Sequence, residues 1–344
     1  MPLALPCAVS GGVSMETRRL ISFGTSSFVV SVPKTWVREN KLKKGDLVHI
    51  EDRKDELILS LGTGGKLEEP KRTLIEVDNK DLKLIRIEIV SAYLNNYDII
   101  DIAGRQLERL APQVKGIIRN LTGLEIIQQT ATKITAKDLL NLKEISIRTL
   151  IRRMDNITRS MLIDSIDCFM ADHFESIYER DLDVNRLVFL ACRVIRAAML
   201  NPKLGKHLAM GNLELMYSRD IIIRIEKIGD QSKRIARRIR NATALSAEEK
   251  QELSNLYKRL MNDYLSAMKA YYKKDVHLAY QIEATNKDVI ELCSAYKRRN
   301  DPVDTARIIE HFKSMRTAVK NIARGVIGME ENPFLPPGSL ENAG

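Results

Sequence analysis

From about residue 138 to about residue 330 the strand signals stop, long helical patterns follow one another, and within them the chain repeats itself. The segment IEKIGDQSKRIARRI, Ile225 to Ile239, aligns with FKSMRTAVKNIARGV, Phe312 to Val326, in a K-x-I-A-R core and in its apolar register. Upstream, FMADHFESIYERDLDVNRL from Phe169 aligns with YKKDVHLAYQIEATNKDVI from Tyr272. Either match alone is what two amphipathic helices show by chance. Both in the same order predict two copies of a three-helix unit packed as an all-α bundle. Breaks fall at AMLNPKLGKH, NATALSAEE and RRNDPVD, and Ser246 with Glu249 three residues on forms a capping box for the helix after the second break.

Composition agrees with helices packed on Leu, Ile, Met and Ala. The 344 residues are 44% hydrophobic and 29% charged, with aromatics at 5% and one tryptophan, Trp36, which argues against a β-sandwich. No uninterrupted apolar run reaches the ~18 residues of a spanning helix, so no membrane insertion is expected. The first fourteen residues lack a basic stretch and a long apolar stretch, so no signal peptide is expected. Cys7, Cys168, Cys192 and Cys293 are scattered with no CxxC pair, which fits a reducing cytosol and excludes a cysteine-rich zinc site.

The first 136 residues read differently. Residues 17–62 give short strands, RRLISF, SFVVSV, LVHIE and ELILSL, with a short helix PKTWVRENK after the second. Pro33 suits its first turn, and KKGD, Lys43 to Asp46, turns the chain into the third strand. GTGGK at Gly62 to Lys66, followed by EEPKR, reads as a linker. Residues 73–136 alternate strand, helix, strand, helix, strand, a small open α/β unit without a glycine-rich phosphate loop, suited to a spacer or dimerisation role. The expected domains are 15–62, 73–136 and 138–330.

The net charge of +10 suggests a polyanionic partner or simply a soluble basic surface. Arg18, Arg19, Lys34, Arg38, Lys43 and Lys44 cluster in the N-terminal strands, helix and turn, and a second run, Lys233 to Arg240, lies on a helix with Lys297 to Arg299 in a loop beyond it. The helical run reads first as a solvated face with ion pairs, and otherwise as a site for an anion or a partner protein. Glu226 and Asp230, four apart, share a helix face, as do Asp181 and Asn185 on the preceding helix, with Glu179 and Asp183 flanking them. Convergence of the two faces makes a hard or borderline cation site. A solvated acidic face balanced by nearby Arg and Lys is the other reading. Gly229, before Asp230, costs a helix about 1 kcal/mol, which suggests close approach of something to the backbone. No histidine follows a glutamate by three residues, and HExxH, GxSxG, P-loop and G-x-G-x-x-G patterns are missing, so no catalytic activity is expected.

Two resemblances attach to these residues. SVPKTWVRENKLKKGDLVHIE, with Val30 to Pro33, Leu42, Gly45-Asp46 and Val48 to Ile50, resembles the AbrB/MazE/SpoVT swapped-hairpin DNA-binding family over residues 15–62. The resemblance implies a β-barrel intertwined between two copies, hence a homodimer, and duplex DNA contact through Arg18, Arg19, Lys34 and Arg38. Gly24 to Ser27 stand where that family often has an arginine. The helical half resembles PhoU, a phosphate-homeostasis regulator of two three-helix repeats, through Glu226 to Asp230 (the family's E-R-I-G-D) and Asp181 to Asn185 (its D-x-x-V-D/N). PhoU-type acidic motifs hold metals, which implies Fe, Zn or Mg at Glu226, Asp230, Asp181 and Asn185, on repeat one only. Repeat two carries Lys313, Thr317, Ala284 and Asp288 at the matching positions, and a lysine there repels a cation.

The whole resembles the archaeal type of PhoU fusion, a multidomain α+β chain in which sensor and DNA binder are joined. It implies a cytoplasmic, dimeric, DNA-binding transcriptional regulator of phosphate uptake. The alternative is an adaptor acting on the phosphate ABC transporter ATPase or a signalling partner, with the N-terminal module serving only to dimerise.

Overall fold

The computed structural model describes residues 17–25, 27–53, 56–61, 70–242, 245–299 and 303–329. The expected linker at Gly62 to Lys66, the signal-peptide reading of the first fourteen residues and the first two residues of the 15–62 domain lie outside them. The chain divides into two compact units, residues 1–69 and residues 70–344. No helix of the described residues is long and apolar enough to cross a membrane.

In the first unit β1 (Ile21–Phe23) pairs antiparallel with β2 (Ser27–Val29), Ser22 opposite Phe28. A helix, α1 (Lys34–Glu39), follows Pro33, which stands at the cap position just outside the first turn. The KKGD turn is closed by Asp46, which accepts from the Lys43 N–H at 2.7 Å, while Gly45 adopts φ +97°, open to glycine and few other residues. A second hairpin pairs β3 (Val48–Arg53) with β4 (Glu56–Leu61), Val48 opposite Leu61. The expected barrel is not closed among the described residues: the two hairpins form separate two-stranded sheets. Among those residues neither hairpin has a third strand to pair with.

The second unit opens with β5 (Arg72–Glu76), α2 (Leu82–Leu94), β6 (Ile99–Ala103), α3 (Leu107–Arg119) and β7 (Leu124–Gln129), the expected alternation. The sequence reading lacks β8 (Lys133–Asp138), which inserts between β6 and β7 to give the sheet order β5-β6-β8-β7. The β5–β6 pair is parallel, and β8 is antiparallel to both neighbours. Alternation sends Ile100, Ile102, Ile134 and Ala136 into a core with Ile85, Ile89, Val114 and Ile118 of the helices. Asp101 and Thr135, between them in sequence, meet on the opposite face in a 2.7 Å hydrogen bond.

The helical half follows. Ser146 caps α4 (Ile147–Asp167), accepting from the Thr149 N–H at 3.2 Å; then come α5 (Phe174–Leu200), short α6 (Pro202–His207) and α7 (Asn212–Asn241). The Ser246–Glu249 capping box opens α8 (Ala247–Lys273) as expected. Next are α9 (Val276–Ala284), α10 (Asn286–Arg299) and α11 (Val303–Gly328). α7 and α11 pack along each other, with α4 and α5 against α7, and α8, α9 and α10 against α11. The element order is thus α4-α5-α7 followed by α8-(α9, α10)-α11, the second copy broken at Thr285 where the first has one continuous helix. Lys297 to Arg299, expected in a loop, end α10.

The α/β layer is not set apart from the bundle. Phe189 of α5 packs against the sheet core, and α2 lies on α5.

Candidate functional site

The N-terminal basic residues lie in two places. Arg18 and Arg19 precede β1 and are exposed; Lys34 and Arg38, also exposed, are one turn apart on α1 and share its face. Around them the hairpins present apolar side chains to solvent: Phe23 is 72% exposed, Phe28 70%, Leu47 82% and Ile50 66%. No described side chain of this unit is buried. Basic and apolar groups therefore share one thin scaffold whose described residues enclose no interior.

The acidic positions of the helical half do come together, across α5 and α7. Asp181 is buried and accepts from Asn185 Nδ2 at 3.2 Å, one turn along the same helix. Asp230 accepts from Arg234 Nε at 2.7 Å. Burial opposes ionisation of Asp230, but the Arg234 hydrogen bond and the charges of Lys233 and Arg234 outweigh it and hold the carboxyl below the usual range. Glu226 is pushed the other way, by burial first and then by the charges of Asp230 and Asp181.

What joins the two helices is Lys233, the first residue of the basic run whose sequence predicts a solvated face. Lys233 donates from Nζ to Asp181 Oδ2 at 2.6 Å and lies 3.3 Å from Asp230 Oδ1. Its side chain is 16% exposed, against 7% for Asp181 and 16% for Asp230. The signal was present in the spacing: Glu226, Asp230 and Lys233 stand at i, i+4 and i+7, one helix face. Among the described residues no three His, Cys, Asp or Glu side chains converge as a ligand set. The donor set as folded suits an ammonium rather than a resident metal, because the two aspartates already share one.

Other members of the basic run are paired too. Arg240 reaches Glu175 at 2.8 Å and Asp172 at 3.1 Å, and Arg237 lies over the Phe174 ring. Gly229 is buried, but a Cβ there would meet Met161 and Thr158 at 3.6 Å, ordinary contact. The close approach that this glycine suggested is not what the fold contains.

In the second copy, Lys313 lies 3.3 Å from Glu310, Thr317 donates to the Lys313 carbonyl, and Ala284 and Asp288 are exposed. Arg316, opposite Gly229 in the alignment, is fully buried, donating to the Ile282 carbonyl at 2.6 Å and to Thr285 Oγ1 at 3.2 Å where the helix breaks.

Comparison with protein families finds two separate matches. Residues 151–239 match the family model described as PhoU domain, and residues 21–72 match the one described as antidote-toxin recognition MazE, bacterial antitoxin. The chain is thus similar to a MazE-type domain over its first hairpins and to a PhoU domain over its first helical copy. The PhoU match spans α4, α5 and α7 and ends with Ile239, so it covers the first helical copy and its acidic cluster. The MazE match covers both hairpins, α1 and the KKGD turn. No curated protein matches the chain.

Proposed function

We propose that the chain is a DNA-binding transcriptional regulator of phosphate uptake, a homodimer whose MazE-type domain sits on duplex DNA while the PhoU domain reports phosphate or transporter state. The observation carrying this reading is the MazE-type match itself, with basic Arg19, Lys34 and Arg38 exposed on a scaffold among whose described residues no side chain is fully buried. Isolated two-stranded hairpins are marginal in water. A second copy, laying its hairpins on Phe23, Phe28, Leu47 and Ile50, supplies the missing interior. Dimerisation then doubles the basic surface, and phosphate neutralisation by Lys and Arg furnishes most of the affinity. The PhoU match over residues 151–239 supports the phosphate-homeostasis part of this reading. The reading involves no catalysis.

The test is crosslinking in cells grown at high and at low phosphate, followed by recovery and sequencing of bound DNA. Enrichment of DNA upstream of phosphate-uptake genes at one of the two phosphate levels is expected. No enriched DNA, together with co-purification of the transporter ATPase, replaces this reading with the adaptor.

A further inference from the structure

We infer that Lys233 is the resident cation of the acidic cluster between α5 and α7, in place of a metal ion. On α7 the carboxylates of Glu226 and Asp230 and the ammonium of Lys233 recur at i, i+4 and i+7, so the helix builds its own cation into its acidic stripe. The ammonium then bridges two helices, 2.6 Å from Asp181 on α5 and 3.3 Å from Asp230 on its own helix. All three side chains are at least four-fifths withdrawn from solvent. Buried carboxylates without a partner carry a large desolvation cost, so a cation at this point is required by the packing.

Charge decides what that cation is. Asp181 and Asp230 share Lys233, and Asp230 also accepts from Arg234, so both aspartates already have cationic partners within the chain. A divalent ion entering beside an ammonium a few ångströms away meets strong repulsion in a low-dielectric setting. Metal binding would require Lys233 to leave its two partners first. The second helical copy follows the same principle by other residues. Lys313 stands where Glu226 stands in the first copy, and the buried guanidinium of Arg316 lies 3.6 Å from Asp263. In each copy a cation of the chain itself stands beside a withdrawn carboxylate, Lys233 beside Asp181 and Arg316 beside Asp263.

The test uses the full chain, purified without chelator, with metal per chain determined for Fe, Zn, Mn and Mg and melting followed with and without MnCl2. Wild type is expected to hold no stoichiometric metal at this cluster and to melt at the same temperature in both conditions. Lys233→Met should melt several degrees lower, or fail to fold. Adding Asp181→Asn and Asp230→Asn to Lys233→Met removes the carboxylates that the lysine serves, and this triple variant should recover melting temperature or solubility relative to Lys233→Met alone. Stoichiometric metal in wild type that is lost in Asp230→Asn overturns the inference. So does a Lys233→Met protein that melts like wild type, or a triple variant no better than Lys233→Met.

Discussion

Arg193, on α5, lays its guanidinium in a two-pronged pair against Asp138 at the end of β8, and the two side chains are 1% and 8% exposed. Its Nε also donates to Asn96 Oδ1 at 3.0 Å, and the guanidinium carbon sits 4.5 Å from the Tyr93 ring centroid. One bundle arginine is thus engaged by three residues of the α/β layer. This contact, with Phe189 beside it, links the α/β layer to the helical bundle within the second unit.

Breaking that pair should therefore unfold both layers together. Removing one member of a buried ion pair leaves the other uncompensated and costs about 3–5 kcal/mol. Arg193→Ala is expected to lose stability in that range, in a single urea transition of the second unit that near-UV circular dichroism from the tyrosines of both layers and far-UV circular dichroism report alike. Two separated transitions in wild type, or a loss below about 1 kcal/mol, within the range of exposed ion pairs, would mean that the layers fold independently.

Most of this architecture is legible in the sequence, and the illegible parts are those that depend on partners far along the chain. Period-2 patterns mark the N-terminal strands, and period-3.6 patterns mark α2, α3 and the long helices, each of which buries a face of its own. KITAKD does not stand out as a strand although Ile134 and Ala136 alternate inward. Its charged positions, Lys133 and Lys137, make it read as a polar connector until β6 and β7 flank it. The acidic cluster is visible through the spacing of Glu226 and Asp230. Its cation is not, because Lys233 reads with its basic neighbours rather than with the face it shares.

Asp101 should shape the acid limb of the stability curve. Its carboxyl is held to about 2, chiefly by the hydrogen bond from Arg72, with Thr135 and Lys133 adding to it against the cost of burial. A carboxyl depressed in the folded state contributes stability that is complete above its unfolded value near ~3.9. The contribution is lost as pH falls from there through about 2. Melting temperatures of Asp101→Asn and Arg72→Ala are expected to fall below wild type at pH 6 and to converge on it toward pH 2. A gap that stays constant over that interval would remove Asp101 as the titrating group.

DNA affinity should follow the exposed cations of the MazE-type domain. Arg19→Ala with Arg38→Ala is expected to weaken binding of the full chain to unrelated duplexes about equally. The slope of log K against log salt should flatten by roughly one unit for each phosphate that is no longer neutralised. Fluorescence anisotropy across a salt series reads both quantities. Unchanged affinity and slope would place the DNA contact elsewhere or deny it.

The same domain should need its second copy. Phe28 and Ile50 are exposed on β2 and β3 of one chain, and burying a large apolar side chain is worth about 1.5–3 kcal/mol. Replacing both with aspartate puts charge where an apolar interior is expected. Sedimentation equilibrium should then show the mass of a single chain where wild type shows twice that. A wild type that sediments as a single chain at micromolar concentration would leave those faces without the proposed cover.

Gly229 offers the sharpest test of whether the PhoU motif is kept for its backbone. It is buried within α7, yet a Cβ there would meet the Met161 Cε and Sδ atoms and Thr158 Oγ1 at 3.6 Å, with nothing closer. The backbone is helical, so no left-handed conformation demands glycine. Alanine relieves the entropy that glycine loses in a helix, about 1 kcal/mol, and its methyl fits the gap beside Met161. Gly229→Ala should therefore leave urea stability unchanged or raise it by up to about 1 kcal/mol on that propensity scale. Leucine at the same position would drive its side chain into Met161 and Thr158 and should destabilise, overpacking of this kind costing about 1–3 kcal/mol. A clear loss with alanine would show that something approaches this turn of α7 more closely than Met161 does.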